Sequence, residues 1–466
     1  MVNKSNSYDY VVIGSGPCGM VSSNFLSKKG KTIIIEEGPQ IEDREKDIYT
    51  FQQISNGYVG GGINIAFGNP PVLLSEGKCI GGGSTVNSSL HHRAPSHVWQ
   101  KWRKLYNLKG FDEESIVNSY KEIENIFSTK KGNIKSSVFY ETAELIGEKV
   151  TRIPRWGNED NEGRLDRWTA RKIFYQKLID NGTKILHLTK FLSAEIDKNK
   201  NWNIYLKNLK NNKKFSIVSS NLILAMGAGK TPIALRNLGL KHNQLGKFEI
   251  HPSARLSCYF PNSERSKSIV EPFQITGHFP YLMIGSSATR PEISESFYPY
   301  KKNIDNIDFS YVRNFYAMAP SNKKGKIILT GLFKGLKFYF LDNRAKFQLK
   351  KGINLIIEIA KEAKCPIIYH SGMRLELNKK NSEKIINDFV ESSIKKTLSS
   401  VHIMSSASIG ENRILCPLNS KGKIPGINNL LVVDQSSLPS CPTVNPQATS
   451  CVISLINTKR FLNEKK

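Results

Sequence analysis

Two residues late in the chain have the side chains needed to take up a proton and to hold an oxygen. His402 opens the run VHIMSSASIG, and Asn445 sits in TVNPQATSCVISL, 43 residues further on, where a loop is predicted to feed a helix. The apolar run LLVVD between them ends on Asp434. A neutral imidazole can accept a proton near neutral pH. A carboxamide is no base, but it can donate a hydrogen bond to a developing alkoxide. Taken alone the pair says little, because a lone histidine is usually a satisfied polar residue and Asn-Pro is a common turn. What the pair would act beside has to come from the rest of the chain.

The chain begins YDYVVIGSGPCGMVSSNFLSKKGKTIIIEEG. This predicts a strand at Tyr10 to Ile13, a helix running to Lys29, and a second strand from Thr32 to Ile35 that ends at Glu36. The turn between strand and helix carries Gly14, Gly16 and Gly19, the spacing of a dinucleotide fingerprint. Gly14 permits the tight turn, Gly16 lets the backbone approach a pyrophosphate, and Gly19 lets the helix pack on the strand. The helix N-terminus offers free N–H groups to the phosphates. Glu36, 22 residues past Gly14, is placed for ribose hydroxyls. An acid there would repel a 2′-phosphate, which argues against NADP, while FAD and NAD both fit.

The 466 residues are enough for two domains with ample cores. The predicted first strand starts about eight residues from Met1, which leaves no room for a signal peptide. No apolar run approaches the roughly 18 residues of a membrane span. Seven scattered cysteines without a CxxC suggest reduced thiols, with neither a disulfide frame nor a zinc or other metal site. A cytoplasmic location is expected. The net charge of +27 lies largely in lysine- and asparagine-rich runs such as residues 207–214 and 321–326. A solvated surface accounts for it, with contact to a peripheral membrane or an anionic substrate as the alternative. No nucleic-acid-binding motif is present.

A second glycine-rich stretch, GGGSTVNSSLHHRAPSHVWQKW, starts at Gly81. It resembles the flavin-contacting loop of the glucose–methanol–choline (GMC) oxidoreductases, and within them it is most similar to the long-chain alcohol oxidase branch. That resemblance places Gly82, Gly83, Ser84 and Asn87 along the pyrophosphate and isoalloxazine of FAD. Members with a covalently attached flavin carry a histidine just before this asparagine. Val86 stands there, so the FAD is expected to be non-covalent. His91 and His92 read as ordinary polar residues of the loop.

The middle of the chain supports the same likeness. Residues 168–197 predict a helix, a turn at Asn181-Gly182 and a strand, and two more strands from Asn201 and Lys213 complete a small β-meander. A separate strand, NLILAMGAG, delivers Gly227 to a turn before KTPIALRNLGL and resembles the second GMC signature. LGKFEIHPSARL resembles the family segment with a His-Pro pair, in which His251 reads as structural. Residues 257–400 show strand candidates (FPYLMIG, GKIILTGLF) and one helix from Lys351 to Cys365, but no motif naming a substrate.

The family frame also fits the closing stretch. His402 and Gly410 match the ends of an H-x-x-G-[ST]-x-x-M-G segment, whereas Ser405, Ser406 and Ile409 depart from its interior. Asp434 would close the cofactor site, and Asn445 with Pro446 would begin a helix aimed at the flavin. The resemblance implies an α/β fold with an α+β second part. A Rossmann-like FAD-binding domain of the glutathione-reductase type is expected from residues 1–95, 165–255 and 401–466. A substrate domain with an antiparallel sheet and helices on one side is expected from 96–164 and 256–400. It further implies oxidation of an alcohol by hydride transfer to FAD, with His402 as base, Asn445 as donor, and oxygen, a quinone or another electron acceptor. The competing readings are an amine- or ketosteroid-type flavoprotein and a non-catalytic flavin- or anion-binding protein at a membrane surface.

Overall fold

The computed structural model describes residues 7–44, 48–132, 135–160, 164–262, 270–289, 308–321, 323–378, 382–396 and 398–464. The opening strand, Ser7–Ile13, is followed by the helix Pro17–Leu26 and the strand Thr32–Ile35. Together with Lys184–Leu186, Lys214–Leu224 and Leu430–Val432 these strands form a five-stranded parallel array, with Ser7–Ile13 in the middle. Val11, Val12, Ile34, Leu222, Leu224 and Leu431 are essentially inaccessible to solvent. This is why these strands read as unbroken apolar runs.

The meander of Thr189–Ile196, Trp202–Asn208 and Lys214–Leu224 is present. Its last strand and the expected separate strand from Asn221 are one element of 11 residues. Residues up to Ser219 pair antiparallel with Trp202–Asn208, and from Leu222 the same edge pairs parallel with Leu430–Val432. Side chains alternate polar and apolar while one face is solvated, then turn wholly apolar once both faces are covered.

A second, 14-stranded sheet is mostly antiparallel. At its centre Ser253–Tyr259 pairs with Val312–Met318, which in turn pairs with Met283–Ser287. Ala254, Leu256, Cys258, Phe315 and Ala317 point into a core shared with the 20-residue helix Asn343–Glu362. The helix starts earlier than the sequence predicts because Asp342 caps it, accepting from the Ala345 amide at 2.9 Å. The opposite face of these strands carries Ser253, Arg255, Tyr316 and Met318.

Sheet and core membership runs across the sequence blocks expected for the two domains. Residues 65–67, 72–74, 247–250 and 253–259 belong to the second sheet. The helices Ser96–Leu105 and Glu113–Ile126, expected with the substrate domain, bury Trp99, Trp102, Tyr120 and Ile123 in the first core, and the second of them packs against the terminal helix Gln447–Asn463. All seven cysteines are free and buried. No helix among the described residues is long and apolar enough to cross a membrane.

Candidate active site

The fingerprint turn closes over the ends of two strands. Gly14 has φ +104°, and a Cβ there would lie 2.1 Å from the Ala225 carbonyl oxygen. A Cβ on Gly19 would come within 2.3 Å of the Gly14 carbonyl oxygen, so both positions demand glycine. A Cβ on Gly16 would meet no protein atom within 4 Å; here the bare backbone faces open space. Gly82, with φ +51°, brings the second glycine turn against it, its own Cβ position being 2.8 Å from the Gly16 Cα.

These turns line one cavity with Gly83, Glu36, Gly227 and Asp434. The Glu36 carboxylate accepts from the Ser15 amide (3.0 Å) and hydroxyl (2.7 Å) and from the Gly38 amide (2.8 Å). It thus fixes the turn as well as facing the cavity. Asp434 accepts from the Gly227 amide at 2.9 Å, the Ser436 amide at 2.8 Å and the Thr231 hydroxyl. Burial pushes its carboxyl above the usual range, against the pull of these hydrogen bonds. Asp434 therefore ties the Gly227 turn to the closing segment. The first turn of the helix Gln447–Asn463 contributes Gln447 and Ser450 to the same wall.

A second cavity, of about 350 Å³, adjoins the first. Ser75, Gly77, Gly83, Val401, Gln435 and Gln447 line both. Asn87, Pro446, His402 and Asn445 line only the second. The Asn87 amide donates to Gln447 Oε1 at 2.7 Å and its oxygen accepts from the Ser89 amide at 2.9 Å, so it braces the start of the terminal helix. Ser84 lines neither cavity. Its hydroxyl donates inward to the Gly81 carbonyl at 2.7 Å and accepts from the Ala170 amide at 3.0 Å, which makes it a support of the loop and not one of the cavity-lining groups.

His402 and Asn445 share the second cavity despite their separation in sequence. His402 Nδ1 is 2.9 Å from Nδ1 of His251, whose Nε2 contacts the Cys441 thiol. Among the described residues nothing is hydrogen-bonded to His402 Nε2. Burial, with His251 and His92 adding to it, holds the His402 pKa well below its ordinary value. Burial and His92 lower that of His251 to about 3. Both rings are neutral at pH 7. The Asn445 carboxamide makes no hydrogen bond among the described residues, and its Oδ1 is buried and unpartnered. An unsatisfied buried amide facing a cavity is costly unless a ligand completes it.

The sequence marks His251 as structural and gives Arg255 no role; in the fold His251 touches His402 and Arg255 lines the second cavity. The available signal was the polar-apolar alternation after His251, in which Ser253, Arg255 and Ser257 alternate with Ala254, Leu256 and Cys258. His91 and His92 line neither cavity. His91 is held by Glu124 and Trp156, and His92 by Gln274.

Family models described as GMC oxidoreductase match residues 8–253, for the N-terminal part, and 338–454, for the C-terminal part. The chain belongs to the GMC oxidoreductases. An uncharacterized GMC-type oxidoreductase of Sinorhizobium fredii is 26% identical over 95% of this chain and 92% of its own. A long-chain-alcohol oxidase of Arabidopsis thaliana is 24% identical, covering 98% of this chain and 69% of its own. The crystal structure of pyridoxine 4-oxidase from Mesorbium loti superposes with a TM-score of 0.71 over 98% of this chain and 99% of its own, at 13% identity. That likeness establishes the fold. The chain is therefore an oxidoreductase built on the GMC architecture, in a family that generally binds FAD.

Proposed function

We propose that this GMC oxidoreductase oxidises a CH–OH group with non-covalently bound FAD. The observation that carries the reading is the meeting of two cavities. One is walled by glycine turns and two helix N-termini. The other presents a free imidazole nitrogen and an unpartnered carboxamide. Gly16, Gly83 and Gly227 offer bare backbone to a pyrophosphate in turns shaped by Gly14, Gly19 and Gly82, Glu36 an acceptor to a ribose, and the terminal helix its positive end to an anionic ring. Bound FAD supplies the two-electron acceptor for the carbinol hydride.

The protein's part is to hold the alcohol and take its proton. His402 Nε2 accepts the hydroxyl proton, which requires the ring to carry its own proton on Nδ1. That tautomer donates to His251 Nδ1, and His251 in turn donates from Nε2 to the Cys441 sulfur. Asn445 holds the substrate oxygen, its Nδ2 donating as negative charge develops there. The residues shared by both cavities set the carbinol carbon against the boundary with the cofactor.

The test is anaerobic reduction of the flavin in the purified holoenzyme by a panel of alcohols. Bleaching is expected with at least one. His402→Ala should keep its flavin while the reduction rate falls by about 10²- to 10⁴-fold. Unchanged reduction in that variant would remove His402 from the mechanism. Acid precipitation should release free FAD, as Val86 offers no attachment; flavin left on the polypeptide would contradict the non-covalent reading.

A peripheral membrane contact is a second reading of the surface. Ile63, Phe67, Leu332, Phe333, Phe338 and Phe340 are all more than one-third exposed on a basic molecule, and the rings of Phe67 and Phe338 are in contact. Co-sedimentation with anionic but not neutral vesicles would support it.

A further inference from the structure

Among the described residues, one cation of the second cavity has no counter-ion. Arg255 lies on the central strand Ser253–Tyr259, directly across from Tyr316, and both face the cavity. Among the described residues its guanidinium has no ion pair and no hydrogen bond. Neighbouring buried arginines are all engaged. Arg155 meets Glu159 at 3.1 Å, Arg313 meets Glu271 at 3.3 Å, and Arg167 donates to the Thr85 carbonyl at 2.9 Å and the Ser84 carbonyl at 2.8 Å.

Arg255 shares the cavity with hydroxyls and apolar side chains. Tyr49, Tyr58, Tyr316, Ser253 and Ser286 line the cavity with it, and among the described residues no aspartate or glutamate does. Burial raises the pKa of each of the three phenols, so they remain neutral. Burial also pushes the Arg255 guanidinium down, but from a starting value so high that it stays charged at neutral pH. An unpaired charge in such a place is strongly disfavoured unless a counter-charge joins it. A planar fork of donors is suited to a bidentate carboxylate or phosphate. Arg255 and Tyr316 line the second cavity alone and are absent from the wall of the first, so this cation is not part of the cradle for a dinucleotide.

We propose that Arg255 binds an anionic group on the substrate, so that the alcohol taken by this site is a hydroxylated carboxylate or phosphate ester and not a neutral aliphatic alcohol. The inference rests on the alcohol-oxidising reading of the same cavity. His402 and Asn445 engage the hydroxyl end, Arg255 takes the anionic end, and the tyrosine and serine hydroxyls solvate the middle.

Matched pairs of alcohols test this on the wild-type holoenzyme by anaerobic flavin reduction. They are 4-(hydroxymethyl)benzoate against benzyl alcohol, 4-hydroxybutyrate against 1-butanol, and glycerol 3-phosphate against glycerol. The charged member of at least one pair should have the higher kcat/KM by about 10- to 100-fold. Preference in the first two pairs identifies a hydroxy acid, and preference in the third a phosphorylated alcohol. Arg255→Met should remove that advantage mainly through KM, and Arg255→Lys should restore part of it. Calorimetric titration of the oxidised holoenzyme with benzoate and with inorganic phosphate reads the anion site without turnover. Equal or better reduction by the neutral members, with no anion binding, overturns the proposal. If no alcohol reduces the flavin but benzoate or phosphate binds and Arg255→Met abolishes that binding, the oxidation reading fails while the anion site stands.

Discussion

His402 can act as a base only while its Nε2 lone pair is free, and its neighbours decide that. The Nδ1-to-Nδ1 contact with His251 makes the two rings a tautomeric chain that runs on to Cys441. Because burial keeps His402 neutral far below pH 6.5, the acid limb of kcat/KM should lie well below the titration of an ordinary histidine. A limb near pH 6.5 would show that a different group is the base. Three residues on, Ser405 has φ +63°, and its Oγ is buried without a partner. The family pattern has glycine here, and the backbone shows why. Ser405→Gly relieves the left-handed strain and removes the unsatisfied hydroxyl, so it should stabilise the protein by about 1 kcal/mol in urea titrations. At the other end of the frame Gly410 is kept, since a Cβ would strike the Tyr106 carbonyl oxygen at 2.2 Å.

Among the elements, the fingerprint unit tolerates no added atoms where the helix Pro17–Leu26 leaves the opening strand. Gly19→Ala would set a methyl 2.3 Å from the Gly14 carbonyl oxygen and 3.0 Å from the Ala225 Cβ. A loss of about 1–3 kcal/mol in stability is expected, together with lower flavin content in the purified protein. Unchanged stability and flavin would mean that the helix can shift. This unit was legible in the sequence because each of its glycines answers a local backbone demand. The loop at Gly81 and the turn at Gly227 were legible for the same reason. Contacts set by tertiary packing were not. Nothing local says that Ser84 turns inward, that His251 meets His402, or that residues 65–74 leave the first sheet for the second. The run from Lys214 to Leu224 read as two strands because its partner changes midway, and pairing partners are not written in composition.

At the scale of the molecule, three buried histidines, His92, His251 and His402, lie close enough to influence one another, and all stay neutral in the fold. His92 is lowered to about 4 and His251 to about 3, in each case first by burial, and His402 is lowered well below its ordinary value. In the unfolded chain each would titrate near 6.5. Above that pH both states are unprotonated and this contribution to stability is intact. As pH falls below about 6.5 the unfolded state takes up protons that the folded state refuses, and stability is lost towards the folded pKa values. The slope approaches roughly 4 kcal/mol per pH unit if all three contribute. Urea midpoints should therefore fall steeply between about pH 6.5 and pH 4, and His92→Gln should reduce the proton uptake on unfolding by about one. A flat profile over that range would show that the rings are solvated or charged in the fold. The pairing of the first and last helices has a consequence for how the protein is made. The Ser22 hydroxyl meets those of Ser454 and Thr458 at 2.9 Å, and Gln447 and Ser450 close the cavity that Gly16 opens. A nascent chain emerging at roughly 5–20 residues per second would carry the unfinished fingerprint turn for tens of seconds before its last wall is synthesised. Loading of the first cavity thus has to wait until the helix Gln447–Asn463 has been made and has packed, and until then the apolar helix Pro17–Leu26 lacks this partner.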